Sequence, residues 1–523
     1  MLRPAVHRIL AFVVALGVAS TVAVAVAADT PTVVTLVGTA LTIEGSGAIA
    51  DGTKLRITAG GRYRLRGVLD GGEIVVDAGE ADVEIVLDGA RVTSVRSAAL
   101  HVVSAGTTTL TLAPGSENLL ADAREYVRDD PDSVEPGAAV YARDDLVVRG
   151  SGSLTVVGAY HNGIQGNDDV RIVEGTITVE AVNHGIKGRD SLVIEGGVLR
   201  VRAGSDGLQS SNADDPELGF VRIEGGTLDI VAGDDGIQAE THVVVGGGTV
   251  SIVAGGGHLA PPGTAKGVKG LVEVRIEGGA LVVDAADDAI HTHGALVVRG
   301  GRLTLSAGDD AMHSDGTLEI HGGDIDVTAS YEGLEAASIV IFDGTIRVVA
   351  RDDGINAVSG PSPTAGARGP ARMPAGGFGA PGGGMGGGDA WLRIHGGTIV
   401  VFAAGSAGMA QAPGAANSTQ PTLAIGFAST VAAGTPVRLE TEAGVEVVTF
   451  VAAKPFASLV VSSPDLRVGD TVVVLGGGNP TRAPGVDGRI VDGELVGASE
   501  VARVSLTDAV TYLGSRPGAA PRR

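Results

Sequence analysis

From Val140 onward aliphatic and polar residues alternate in short runs: Leu146 and Val148, Leu154 and Val156, Val170 and Ile172, Ile177 and Val179. A period of two sets one face of an extended strand against a core and the other toward water. The runs come in pairs, repeated as Leu192/Ile194 with Leu199/Val201 and as Leu296/Val298 with Leu303/Leu305. Between the members of a pair stands a charged residue followed by two glycines, at Glu195–Gly197, Glu224–Gly226, Glu277–Gly279 and His321–Gly323. That wording predicts a tight turn whose positive φ a side chain would resist.

A second phrase punctuates the pairs: two polar or acidic residues, then Gly or Ala, then an aliphatic residue. It begins at His161, Asn183, Ser205, Asp234, Asp287, Asp309, Tyr331 and Asp352, with a degenerate copy at Ala265. The successive steps are 22, 22, 29, 31, 22, 22, 22 and 21 residues, and the two long ones hold insertions, Asn212 to Gly219 and Gly255 to Thr264. A unit this short cannot bury its own apolar face, so neighbouring copies must stack to make a continuous core. The pattern predicts an all-β, right-handed, single-stranded parallel β-helix of about 22 residues per coil; the right hand follows from the period, since left-handed solenoids use shorter hexapeptide units.

Irregular early coils read from Ile74/Val76, Val83/Ile85/Leu87, Leu100/Val102 and Leu110/Leu112, so the helix is expected over 29–410. An acidic loop, 122–136, and a disordered insertion rich in Gly and Pro, 359–388, interrupt it. Past Ala415 the period is lost. Runs such as Val437–Leu439, Val445–Phe450, Ser458–Val461 and Val472–Leu475 predict an antiparallel β cap over 411–500, which an open terminal coil requires, and 501–523 reads as a mostly disordered tail. At the other end Arg3, His7 and Arg8 precede the apolar run Ile9 to Ala28, with small residues around Ala25–Ala27. This predicts an export signal over 1–28, cleaved near Ala27 or Ala28, or else an uncleaved anchor, with the rest secreted or at the cell surface.

Composition narrows the partners. The 523 residues include 83 Gly, only 3% aromatic residues and no Cys, and the net charge is −23. No basic surface is available for nucleic acid, and disulfide or thiol chemistry is excluded. Cations or polysaccharide remain, with a monomer expected and no membrane contact beyond the N-terminal segment.

Stacking aligns the phrase acids in two outer rows: Asp206, Asp235, Asp288, Asp310, Glu332 and Asp353, and beside them Asp234, Asp287, Asp309 and Asp352. Like charges ~4.8 Å apart repel by a few kcal/mol at surface-like dielectric, which favours a bridging cation, and calcium suits irregular oxygen ligation. Asp-Gly and Asn-Gly pairs are also plain turn formers, and that reading stays open for each aspartate. His291, His293 and His313 follow the phrase; imidazole beside carboxylate binds transition metals or relays protons, and surface histidines are more often merely solvated. With Tyr160, Lys187 and Asn356 they form the candidate carbohydrate-binding set. A uronate lyase would need Lys187 or Lys269 as its base.

The runs Ala139–Leu146, Gly150–Val156, Tyr160–Ile164 and Asn183–Leu192, with Phe456–Pro464, resemble the secreted bacterial carbohydrate-binding β-helix proteins related in fold to pectate lyases. The resemblance spans about Thr35 to Gly478. It implies bound calcium and attachment to cellulose or acidic plant polysaccharide such as polygalacturonate, without cleavage. Lys266 in one coil and Ser406-Ala407 in the last depart from the acidic phrase and would interrupt a cation row. The expected function is therefore non-catalytic, calcium-dependent polysaccharide attachment; the alternatives are a lyase acting on uronate polymers and a structural adhesion rod.

Overall fold

The computed structural model describes residues 30–127, 135–358, 391–403, 411–414, 418–485 and 488–514. The expected export segment, the insertion 359–388, the Ser406-Ala407 departure and the last residues of the tail lie outside that set. Among the described residues there are strands and turns but no helix, and most strands belong to one long, mostly parallel sheet.

The pairing register explains that sheet. Each rung passes through three strands in turn, and each strand pairs in parallel with its counterpart in the next rung. In the first ladder Ile164 lies against Ile186, and the column continues through Leu208, Ile237, Val268, Ile290, Met312, Leu334 and Ile355. In the second, Val170 lies on Leu192, Val221 and Val243; in the third, Ile177 lies on Leu199, Leu228 and Val250. These side chains are buried and form one continuous core. Both long steps keep the register, because their extra residues loop out between strands: Leu208–Ser210 and Phe220–Ile223 flank one, Thr249–Ala254 and Val268–Gly270 the other.

The glycine-rich turns join the second ladder to the third. The second glycine of each has positive φ, as at Gly197 (+89°), Gly226 (+93°), Gly279 (+85°) and Gly323 (+106°). A Cβ at Gly226 would also lie 2.9 Å from the carbonyl oxygen of Gly197 in the previous rung, so backbone stacks directly on backbone.

The N-terminal strands begin differently from the rungs, as antiparallel pairs: Thr32–Gly38 with Ala40–Glu44, and Ala48–Asp51 with Lys54–Ile57. At the other end Phe456–Ser462 runs antiparallel to Thr398–Ala403 and covers the last strand of the third ladder. A separate antiparallel sheet is built from Pro436–Thr441, Glu446–Val451, Thr471–Gly476 and Ser499–Ser505 around Phe402, Phe450 and Phe456. Here the expected disordered tail needs correction. Ser499–Ser505 pairs with Thr471–Gly476, and Val510–Leu513 runs parallel to Thr422–Val431, with Leu506 and Val510 buried. Few large apolar residues mark this stretch, so its strands are held by pairing onto a sheet already formed.

Candidate functional site

The phrase residues sit where the chain leaves the third ladder and enters the first. The two acids of a phrase point differently. Asp234 and Asp309 are exposed and Asp287 and Asp352 half-buried, whereas Asp206, Asp235, Asp288 and Asp310 are only 3–5% exposed. Asp206, Asp235, Asp288 and Asp310, the second acids of their phrases, therefore do not form an outer row, which corrects the expectation for those four residues.

Their burial has a hydrogen-bonding cause. In three of the four, one carboxylate oxygen accepts a backbone N–H from the next rung: Asp235 N–H donates to Asp206 (3.1 Å), Lys266 N–H to Asp235 (2.8 Å) and Asp310 N–H to Asp288 (3.1 Å). The other oxygen meets the side chain three residues on or, for Asp235, the corresponding side chain of the next rung. Gln209 Nε2 donates to Asp206 (2.7 Å), Lys269 Nζ to Asp235 (3.0 Å), and Nδ1 of His291 and His313 bonds Asp288 (2.8 Å) and Asp310 (2.7 Å). Asn162 plays the same part in an earlier rung, accepting His184 N–H and donating to Gln165. A buried carboxylate so surrounded is satisfied locally.

Electrostatics follows these partners. Burial pulls Asp288 upward, but the His291 bond and the Lys266 charge outweigh it and hold the group below its usual range. Burial raises Asp235, against the Lys266 N–H and the Lys269 charge. The Asp310 hydrogen bond lifts His313 to about 9, while burial lifts Asp310 to about 6, so the pair is ionised at neutral pH. Further along, burial and the crowding of Glu332 and Asp310 push Glu335 up to about 8, and burial with Glu332 and Asp352 pushes Asp353 up to about 7.

Two all-carboxylate groups converge with oxygens mutually within 4.8 Å: Asp206, Asp234 and Asp235, and Asp287, Asp288 and Asp309. In the second, Lys266 Nζ is bonded to Asp287 and lies 3.2 Å from Asp288. The chain's own ammonium thus fills the gap, and Lys266, expected to interrupt a cation row, instead replaces a cation in it. Among the described residues the one lysine paired with the first group is Lys269, on Asp235, and the group's all-oxygen donor set fits calcium.

Beside the exposed acids lies a cleft of about 540 Å³ between the Gly255–Thr264 insertion and the phrase, lined among others by Leu259, Pro262, Asp287, Asp309, Tyr331 and Arg351. His258 at its edge holds the insertion through Nδ1 and backbone N–H, both bonded to Asp284. The Arg351 guanidinium lies over the Tyr331 ring, 5.6 Å from its centre. Tyr331 is 43% exposed, and a hydrogen bond with Asp352 keeps its phenol above the usual value. An exposed ring with carboxylates and a guanidinium around it is suited to hydroxyl-rich ligands.

A family model described as "Carbohydrate-binding domain-containing protein" matches residues 51–311 and 306–446. The chain belongs to this carbohydrate-binding domain family. A protein of Acetivibrio thermocellus described in the same words is 40% identical over 129 residues, 24% of this chain and 45% of the relative, so under half of that relative's length is matched. A solved structure, described as the polysaccharide lyase-like protein from C. thermocellum in a gadolinium derivative, is 31% identical, with a TM-score of 0.43, covering 51% of this chain and 97% of its own.

The remaining candidate residues of this family member are dispersed along the fold. His291 stacks on His313, ring centres 4.9 Å apart, and His293 meets His291 edge-on at 5.2 Å. Lys187 and Asn356 occupy the same first-ladder column as His291 and His313, but rungs away from them. Tyr160 is half-buried, stacked on Tyr126 at 4.1 Å, in the part of the expected acidic loop that is described. None of the six expected carbohydrate ligands lines the cleft; Tyr331, Arg351 and Leu259 do. The sign of it in the sequence is the 31-residue step, which supplies the wall of the cleft.

At Tyr126 the carboxylate of Asp122 accepts from the tyrosine hydroxyl (2.7 Å) and from Ala159 N–H (2.6 Å), and burial still lifts it to about 6. The unfolded value is about 3.9. The folded state therefore keeps a proton that the unfolded chain has released, so this stabilisation is complete below about pH 4 and lost as pH rises through about 6. Asp122→Asn keeps an acceptor for Ala159 N–H and reverses the other bond, its Nδ2 donating to the Tyr126 hydroxyl while that hydroxyl donates to the Ala138 carbonyl (3.0 Å), and should flatten that slope, melting at or above the wild-type temperature at neutral pH. Thermal melts across this range check it, and a variant with the wild-type pH slope would contradict it.

Proposed function

We propose that this protein is an exported, non-catalytic binder of polysaccharide that winds as a right-handed parallel β-helix and uses calcium. The observation that carries the reading is the cleft, where the exposed Tyr331 ring, Arg351 and the outer acids Asp287 and Asp309 face one groove. Membership of a carbohydrate-binding domain family supports it. Tyr331 stacks on a sugar ring, Arg351 pairs with a uronate carboxylate or sugar hydroxyls, and the polymer is cellulose or polygalacturonate. Calcium is held by Asp206, Asp234 and Asp235, where it relieves the repulsion of three converging carboxylates.

Pull-down on insoluble cellulose and on polygalacturonate, with calcium or with chelator, tests this. Retention should fall about tenfold in Tyr331→Ala, the loss of roughly 1.4 kcal/mol of aromatic contact. Chelator should lower the melting temperature, and Asp234→Asn should abolish that effect. Retention of neither polymer at any calcium level would leave only an adhesion rod.

A second reading, a uronate lyase, is favoured by Lys187. It is half-buried, has no hydrogen bond or ion pair among the described residues, and burial lowers its affinity for a proton against the attraction of Asp206 and Glu240. Lys269, the other candidate base, is paired with Asp235. Unsaturated-product absorbance that appears with polygalacturonate and disappears in Lys187→Gln would favour the enzyme.

A further inference from the structure

The side chain three residues after each second acid forms a column of its own through the first ladder: Gln165, Lys187, Gln209, Gln238, Lys269, His291, His313, Glu335 and Asn356. In the rungs of Asp206, Asp288 and Asp310 it supplies a donor to the acid of its own rung, and Lys269 donates to Asp235 of the rung before. Glu335 breaks the rule. It stands in the donor position of a rung whose acid is Glu332, and Asn356 from the next rung is what donates to the pair, at 2.8 Å to Glu332 and 3.0 Å to Glu335. Among the described residues no lysine or arginine forms an ion pair with Asp310, Glu332 or Glu335; the positive partner there is His313.

We propose that His313, with Asp310 and Glu335 on one side and His291 on the other, binds a divalent transition-metal ion of the zinc class. Ligand atoms of Asp310, His313 and Glu335 lie mutually within 4.8 Å, as do those of Asp288, His291 and His313, so His313 belongs to both groups. Zinc bonds of about 2.0–2.2 Å to nitrogen and oxygen need donors somewhat nearer than that, within reach of side-chain rotation. Asp288 is the poorer ligand, because Lys266 already lies 3.2 Å from the oxygen that His291 uses. His313, Asp310 and Glu335 bring one imidazole and two carboxylates together, with the His291 imidazole stacked on that of His313, and a mixed nitrogen and oxygen set of this kind suits zinc and cobalt, whereas calcium takes oxygen ligands. The site is distinct in position and ligand type from the calcium group proposed at Asp206, Asp234 and Asp235.

The test is zinc titration by calorimetry on the untagged protein in excess calcium, with cobalt as a spectroscopic probe. One ion per chain is expected, with a visible cobalt band of nitrogen and oxygen ligation. His313→Gln and Glu335→Lys should each weaken zinc binding at least tenfold. Glu335→Lys places a lysine where Lys187 and Lys269 stand in their own rungs, so its metal-free melting temperature should equal or exceed that of the wild type. Asp234→Asn should leave zinc affinity unchanged. Zinc that fails to bind, is displaced by calcium, survives in Glu335→Lys or His313→Gln, or is lost in Asp234→Asn would each overturn the assignment.

Discussion

Replacing Gly236 by Ala is expected to destabilise the protein by about 3 kcal/mol, at the upper end of ordinary overpacking costs. A Cβ at this position would lie 2.3 Å from Ile252 Cγ2 and 2.6 Å from the carbonyl oxygen of Gly267, which accepts the N–H of Ile237 in the ladder. Neither neighbour can yield freely, since one is core and the other is backbone. The fold itself points to the remedy. Ala289 and Ala311 fill this phrase position in two other rungs; the first shares its rung with Leu305, which carries no branch at Cβ, and the second with Val327, beside a register shift. Ile252→Leu added to Gly236→Ala should therefore recover about half of the loss. Urea denaturation of the single and double variants measures both, and a Gly236→Ala protein as stable as the wild type would show that the rungs can part without cost.

Loss of Asp235 is the second large effect. Asp235→Ala should cost about 3 kcal/mol, because it strands the Lys269 ammonium and the Lys266 N–H in a nearly closed site. Asp235→Asn keeps an acceptor for Lys266 N–H and should cost less. Asp235→Asn combined with Lys269→Gln removes both charges of this contact between rungs and leaves Gln238 three residues on, as Gln165 follows Asn162 in an earlier rung, and should return the protein close to wild-type stability. Equal losses in all three variants would mean that the contact counts for its charge rather than for its geometry.

Much of the architecture was legible because two periods coincide in the chain. Alternation marks the strands, and the recurring Gly-Gly turns and phrases mark the rungs, so the columns through Val170, Ile177 and Ile164 could be read before any coordinates. The orientation of the second acids was not legible. An Asp-Gly turn reads the same whether its carboxylate faces water or bends back toward the next rung, and backbone N–H groups, which leave no trace in sequence, decide it here. A clue was nonetheless present: the residue three places on is Gln, Lys or His in rung after rung, a partner that a solvated aspartate would not need. The cleft was not legible because its wall is an insertion outside the repeat, and the final strands were not because pairing, rather than apolar alternation, holds them.

The glycine corner fixes where novelty can enter. From Ile172 to Thr176, Ile194 to Val198, Ile276 to Ala280 and Val298 to Arg302, the path from the second ladder to the third has the same length, while both extra segments emerge at the other two corners. With main chain lying on main chain at that edge, one added residue would wedge apart every layer above it. A foreign recognition loop grafted onto this scaffold therefore belongs at 212–219 or 255–264, where the sheet already accommodates an outgrowth and keeps its register.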